Sequence, residues 1–274
     1  MATTSSKIQV QAILQAILST NPISSAISTY VGSVCTGNEI RKIKDDIGEL
    51  MERVGELEKF KAEIIADVEI ILSSKSNQIV LPNLNVAYRL ANIIETKDVD
   101  DNLKFMYSNL FASMLDKEKA KYVHPAFLGI IEQLTIDEII MLRSFPNSAA
   151  LAWPVVDIYD RGRGATGGSM VLSNLTDLAI ERLQDKQLIC CYIDNLIRLQ
   201  LIFVSDCELE DDSRYKKLEN WSEFTNQYVS RSYIHKNTNF YFHRKSIFLT
   251  NLGMSFKNVC FNQEINKGHR DRSC

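Results

Sequence analysis

The sequence predicts a mainly α-helical protein: a helical N-terminal region with a long heptad helix, then a C-terminal winged-helix-like α+β module. Three observations lead there. Apolar residues recur at helical or heptad spacing through most of the first 145 positions. The second half places short runs of strand-forming residues between helical stretches, in the order helix, strand, helix, helix, strand, wing, strand. The 274 residues, 45% hydrophobic and 24% charged, have the composition of an ordinary globular protein with enough chain for a real core.

Residues 1–38 read as an uncharged apolar helical hairpin. No charged residue occurs between Lys7 and Glu39. Val10, Ile13, Leu14, Ile17 and Leu18 make one helical stripe, Asn21-Pro22 breaks it, and Ile23, Ala26, Ile27, Tyr30, Val31 and Val34 make a second. Such a hairpin packs against the rest of the fold or a second subunit. The functional alternative is contact with a partner or a membrane surface through Ile23, Ile27, Tyr30, Val31 and Val34. The polar face lacks the Lys and Arg that interfacial helices usually carry.

Residues 39–75 form a long heptad helix. Ile40, Ile43, Ile47, Leu50, Val54, Leu57, Ile64, Val68 and Ile71 hold the seam, interrupted by Lys61. A helix of this length seeks a helical partner, in the same chain or in a second copy. Ser73 to Gln78 is a polar linker.

Residues 76–134 form a helical middle region. Leu103, Met106, Leu110 and Met114 give one stripe, and Phe127, Ile130, Ile131 and Leu134 give the next. Between them Pro125 suits the first turn of a new helix. His124, at that corner, reads as a structural histidine bonding a free backbone group.

Residues 135–262 form the winged-helix-like domain. Thr135-x-x-Glu138 is a capping-box pattern opening a helix that ends near Pro146. Trp153 to Ile158 reads as a strand, Asp160 to Ser169 as a glycine-rich loop, and Ser173-Asn174 as the cap of a helix through Leu183. A second helix follows from Gln187 to Leu199, with Gln187, Asp194, Asn195 and Arg198 as its exposed polar face. Leu201 to Val204, Phe240 to Phe242 and Ile247 to Leu249 are strand candidates, with a wing between the first and second. Thr250 caps a final helix to about Phe261. Residues 263–274 form a polar tail.

Asn109-Leu110-Phe111-Ala112-Ser113-Met114, the Val123-His124-Pro125-x-Phe127 corner and Ile131-x-Gln133-Leu134-x-x-x-Glu138 form one block. Asp194-Asn195-Leu196-Ile197-Arg198-Leu199 follows, and Leu249-Thr250-x-x-Gly253-x-x-Phe256 closes the pattern. Together these segments resemble the abortive infection alpha (Abi-alpha) family of prokaryotic proteins, over roughly residues 85 to 260. Two departures stand out: Gln200 occupies a position where a glycine often precedes the next strand, and the segment from Asp206 to Arg244 is long. The resemblance implies a role in phage exclusion and carries over no catalytic residue.

Little else points to chemistry. Gly162-Arg163-Gly164-Ala165-Thr166-Gly167 satisfies G-x-G-x-x-G, but no βαβ pattern surrounds it, and Gly168 stands where a phosphate-binding lysine would follow. Six cysteines match no zinc or disulfide spacing. His235 and His243 have no carboxylate or cysteine at ligand spacing. No nucleophile, cofactor or metal motif is legible, so the reading is non-enzymatic.

A net charge of −3 disfavours general nucleic-acid affinity. Asp206, Glu208, Glu210, Asp211 and Asp212 would repel phosphates, while Lys216, Lys217, Arg231, Lys236, Arg244 and Lys245 could form a basic strip. The expectation is a phage-defence protein acting through a membrane or protein partner, self-association included. It is cytoplasmic or peripheral to the inner membrane. The alternative is a winged-helix DNA-binding regulator or adaptor.

Overall fold

The computed structural model describes residues 11–15, 17–18, 37–73, 79–96, 100–146, 152–162, 168–220 and 238–261. Ile23, Ile27, Tyr30, Val31 and Val34, the loop glycines 164 and 167, and the tail 263–274 lie outside them. The chain divides into two compact units. One runs to Gln133 and resumes at Asn258; the other is Leu134–Lys257. Among the described residues, no helix is long and apolar enough to cross a membrane.

The first unit contains α1 (Gly37–Leu72), α2 (Leu84–Thr96), α3 (Asp101–Leu115) and α4 (Ala126–Gln133), with a helical stretch at 11–15 and 17–18. The heptad pattern corresponds to one continuous 36-residue helix, α1. Its seam residues Leu57, Ile64, Val68 and Ile71 are buried, as is Phe60 beside them. Lys61 is buried too, because the ammonium has partners: Nζ lies 2.9 Å from Glu95 Oε1 and donates to the Leu18 carbonyl at 3.1 Å. Without them it would carry a desolvation cost of several kcal/mol. Leu14, Ile17 and Leu18, from the first apolar stripe, are likewise buried.

Helix α3 is the centre of this unit. Asp100 caps it by accepting from the N–H groups of Asn102 and Leu103. Every residue from Phe105 to Leu115 is buried, so the helix is enclosed on all faces rather than along one stripe. Helix α1 packs along it, and Lys104 Nζ reaches Glu63 Oε2 at 2.8 Å while Ser108 Oγ donates to Asp67 at 3.2 Å. Residues past Asn258 complete the packing: Ser113 Oγ donates to the Val259 carbonyl, and Phe105 stacks on Phe261 with centroids 6.5 Å apart. At the corner before α4, His124 Nδ1 accepts the Ala126 N–H at 3.1 Å, the structural role expected of it.

The second unit contains α5 (Ile136–Ser144), β1 (Trp153–Gly162), β2 (Ser169–Leu175), α6 (Ile189–Arg198), β3 (Ile202–Ser205), α7 (Asp212–Glu219) and β4 (Thr238–Leu249). Helix α8 (Asn251–Cys260) begins in it. The strands form one antiparallel sheet in the order β2-β1-β4-β3.

This overturns the predicted fold class. The chain is mainly helical but mixed α+β, and the second unit is a four-stranded sheet rather than a winged helix. The helix-turn-helix pair is missing, because Ser173-Asn174 lies inside β2 and only a 3₁₀ turn, Ile180–Arg182, follows. Among the described residues there is also no wing of two short strands. Phe240–Phe242 and Ile247–Leu249 are parts of one 12-residue strand, paired with β1 from Trp153↔Ile247 to Gly162↔Thr238. The charged run His243-Arg244-Lys245 hid this continuity. Arg244 and Lys245 each pair with a carboxylate and His243 stands beside Asp157, so the strand passes through without a break. The acidic start of the expected wing builds α7 instead: Asp211 accepts from the Ser213 N–H as N-cap, and Asp212 sits in the first turn.

Candidate functional site

The family-like segments of the second unit meet in a hydrogen-bonded chain. Thr135 and Glu138 make the predicted capping box: Thr135 Oγ1 accepts the Glu138 N–H, and Glu138 Oε2 accepts the Thr135 N–H at 2.7 Å. The second oxygen of Glu138 accepts from Asn195 Nδ2 at 2.7 Å, and Asn195 Oδ1 accepts from Arg198 Nε at 2.9 Å. Beside it, buried Asp137 accepts from the N–H groups of Gln184 and Asp185 and from the Tyr192 hydroxyl. Burial and the Asp137 bond both push the Tyr192 phenol up, so it remains a donor. A carboxylate with this many donors organises a fold.

A second junction lies at the end of α6. Gln200 has φ 59° and its N–H donates to the Ile197 carbonyl, while the Leu201 N–H donates to the Leu196 carbonyl. That is a Schellman ending, which explains why glycine suits this position and why Gln200 is a departure at some conformational cost. The Leu201 carbonyl then accepts the Thr250 N–H at 3.0 Å, and the Gly253 N–H donates to Thr250 Oγ1 at 2.9 Å. A Cβ on Gly253 would sit 1.9 Å from the Leu201 carbonyl oxygen. Only glycine lets α8 approach the backbone this closely.

The predicted exposed face of Gln187, Asp194, Asn195 and Arg198 is only partly brought together. Asn195 and Arg198 are bonded to each other. Gln187 lies in a 3₁₀ turn before α6, where its N–H donates to Asp185, and Asp194 accepts from Asn174 Nδ2 instead. The described members of the basic strip all have carboxylate partners. Lys216 pairs with Asp212, Lys217 with Asp177, Lys245 with Asp157, and Arg244 with Glu219 and Asp212. Among the described residues, no group of His, Cys, Asp and Glu could hold a metal ion.

One cluster escaped the sequence reading. Asp157 on β1 stands opposite His243 on β4, and both share a sheet face with Lys245 and the tyrosine pair Tyr159↔Tyr241. Asp157 and Lys245 are buried and paired at 2.7 Å. Asn174, at φ 57°, donates its N–H to Asp157 and accepts from Lys245 Nζ at 2.9 Å. His243 Nδ1 is 3.8 Å from the other Asp157 oxygen. The available signal was Asp157 itself: a carboxylate inside the apolar run Val155-Val156-Asp157-Ile158 needs a partner, and only cross-strand register shows which.

The family model described as abortive infection alpha matches residues 52–260, well over half of the chain. The chain belongs to the abortive infection alpha family. The matched span includes the Glu138–Asn195–Arg198 chain and the Leu201–Thr250–Gly253 junction, so these family-like residues do internal structural work. No curated protein matches the chain. A solved structure of an uncharacterized protein from the hydrocarbon-degrading marine bacterium Alcanivorax borkumensis SK2 is 20% identical, with a TM-score of 0.33. It covers 52% of this chain and 94% of its own, a likeness too slight to carry an argument.

Proposed function

We propose that this protein is a phage-defence protein of the abortive-infection type that acts by contact with a membrane or protein partner rather than by catalysis. Membership of the abortive infection alpha family is the observation that carries the defence role. The contact mechanism is supported by the polar motif side chains, whose bonds are internal: Asp137 and Glu138 are buried, and Asn195 is held between Glu138 and Arg198. The pairing of Lys216, Lys217, Arg244 and Lys245 with carboxylates favours a protein or membrane partner over a nucleic-acid backbone. The protein works in the cytoplasm or on the inner face of the inner membrane.

The proposed contact residues are Ile23, Ile27, Tyr30, Val31 and Val34. Leu14, Ile17 and Leu18 are core residues of the first unit, so deleting the whole hairpin would damage the fold. The test therefore keeps residues 1–22 and replaces Ile23, Ile27 and Val31 with serine. Bacteria expressing the wild-type protein should survive a phage panel at low multiplicity and collapse at high multiplicity, whereas the triple variant should lose protection at unchanged expression. Full protection by the variant would sink the contact mechanism, and no protection by the wild-type protein would sink the defence role.

A further inference from the structure

We propose that the open half of the β1–β4 face binds a nucleobase, stacked on Tyr159 and Tyr241 and read at its edge by His243. This site is independent of the defence reading. Its geometry follows from the register. Val155, Asp157 and Tyr159 alternate onto one face of β1, and Lys245, His243 and Tyr241 stand opposite them on β4. Burial changes along that face. Val155, Asp157 and Lys245 are buried at one end, and Tyr241 is 51% exposed at the other. The face thus runs from a fixed polar anchor to an open aromatic platform.

A half-open cleft of about 300 Å³ lies over the platform, lined by Tyr159, Gly168, Tyr241 and His243. Small-molecule pockets start at about this size, and a nucleoside suits it better than a large cofactor does. The two tyrosine rings are 6.4 Å apart and tilted by 51°. Aromatic residues on the central strands of an antiparallel sheet are a general means of stacking bases. Gly168 lets the chain entering β2 run close against β1 at the edge of the cleft: a Cβ there would come within 2.8 Å of the Asp160 carbonyl oxygen.

The directional element is His243. It sits beside Asp157, whose other oxygen is held by Lys245 and the Asn174 N–H, so the carboxylate next to the imidazole is fixed in place. An imidazole offers one donor and one acceptor, which match the edge of a base. Phosphate is not the recognised group, since Lys245 is taken up by Asp157 and Asp194 stands nearby on Asn174. Affinity should therefore reside in the base and change little with salt, unlike binding that depends on phosphate contacts.

The test is equilibrium titration of the full-length protein with adenosine, guanosine, cytidine and uridine, with their 5′-monophosphates, and with a short single-stranded oligonucleotide at two salt concentrations. At least one nucleoside should bind saturably, its monophosphate equally well. Tyr241→Ala should weaken binding at least about tenfold, the usual effect of removing a stacking ring. Because Tyr241 is half exposed, that variant should melt with the wild-type protein. His243→Ala should flatten the preference among bases more than it lowers affinity. Oligonucleotide binding tighter than nucleoside binding would identify the source as a strand, and equal binding would identify a free nucleoside. Absence of saturable binding by every nucleoside up to about 10 mM, well into the weakest affinity range, would overturn the proposal. So would binding that survives unchanged in the Tyr241→Ala protein.

Discussion

The two units use buried charge to different extents: the first buries Lys61 against Glu95 and the Leu18 carbonyl, while the second builds several of its joints from buried charge. In the first, the central helix α3 is enclosed by apolar neighbours, and most of its ionic contacts, such as Lys104 with Glu63 and Asp101, sit toward the rim. In the second, buried carboxylates and lysines are the joints themselves. Asp157 and Lys245 join strands, Asp137 and Glu138 join a helix to distant segments, and Lys257 donates to the Arg143 and Phe145 carbonyls at the end of α5. Apolar packing loses stability in proportion to what is removed, whereas a buried pair fails abruptly when one partner is lost.

The largest effect should come from breaking such a pair. Asp157→Ala leaves Lys245 buried without its counter-ion and should cost about 4 kcal/mol in denaturant unfolding. The double replacement Asp157→Leu with Lys245→Met should recover most of that loss. If the single variant is as stable as the wild type, the contrast between units disappears. Next comes the first unit's counterpart: Leu110→Ala at the centre of α3 should cost about 3–4 kcal/mol, through lost burial and a residual cavity. A cost below about 1 kcal/mol would mean that this core collapses around the vacancy more easily than its enclosure suggests.

Gly253→Ala should cost about 3 kcal/mol, because the added methyl meets backbone rather than a yielding side chain. A thermal midpoint unchanged by this substitution would show that the α8 contact can open freely. The smallest effect concerns Lys257, whose ammonium is pushed down to about 8 by burial. Below pH 8 both folded and unfolded chains hold the proton, and the full penalty is present. Above that pH the folded chain releases it first, so stability should rise with pH until the unfolded lysine also titrates near 10.5. Lys257→Met should flatten this slope between pH 8 and 10, measured as the difference in unfolding free energy between the two proteins.

The same contrast explains what was legible in the sequence. Helices announce themselves through spacing within a few residues, so α1, α3 and the Thr135–Glu138 cap could be placed from local pattern. The enclosure of α3 on every side could not, because nothing local shows that polar residues off the Leu103–Met114 stripe, such as Ser108 and Ser113, find partners in Asp67 and Val259. The sheet was harder still. Asn174 resembled a helix cap beside Ser173 but adopts a left-handed turn of backbone in β2, tied to Asp157 seventeen positions away. His243 looked isolated because its neighbour Asp157 is brought close only by strand register. The candidate site was therefore nearly invisible, although its clue, an acid in an apolar run, was present.

Chain order has a further consequence for synthesis. The Val259 carbonyl and Phe261 complete the packing around α3, and β4, which ends at Leu249, completes the sheet. Neither unit can finish folding until residues 238–261 have left the ribosome. A product lacking residues 238–261 would keep the β1–β2 pair but have neither a closed first core nor the β4 strand that joins β1 to β3, so quality-control proteases would meet an open substrate. Pulse-labelled fragments ending before residue 238 should therefore be degraded faster than the chain that includes residues 238–261.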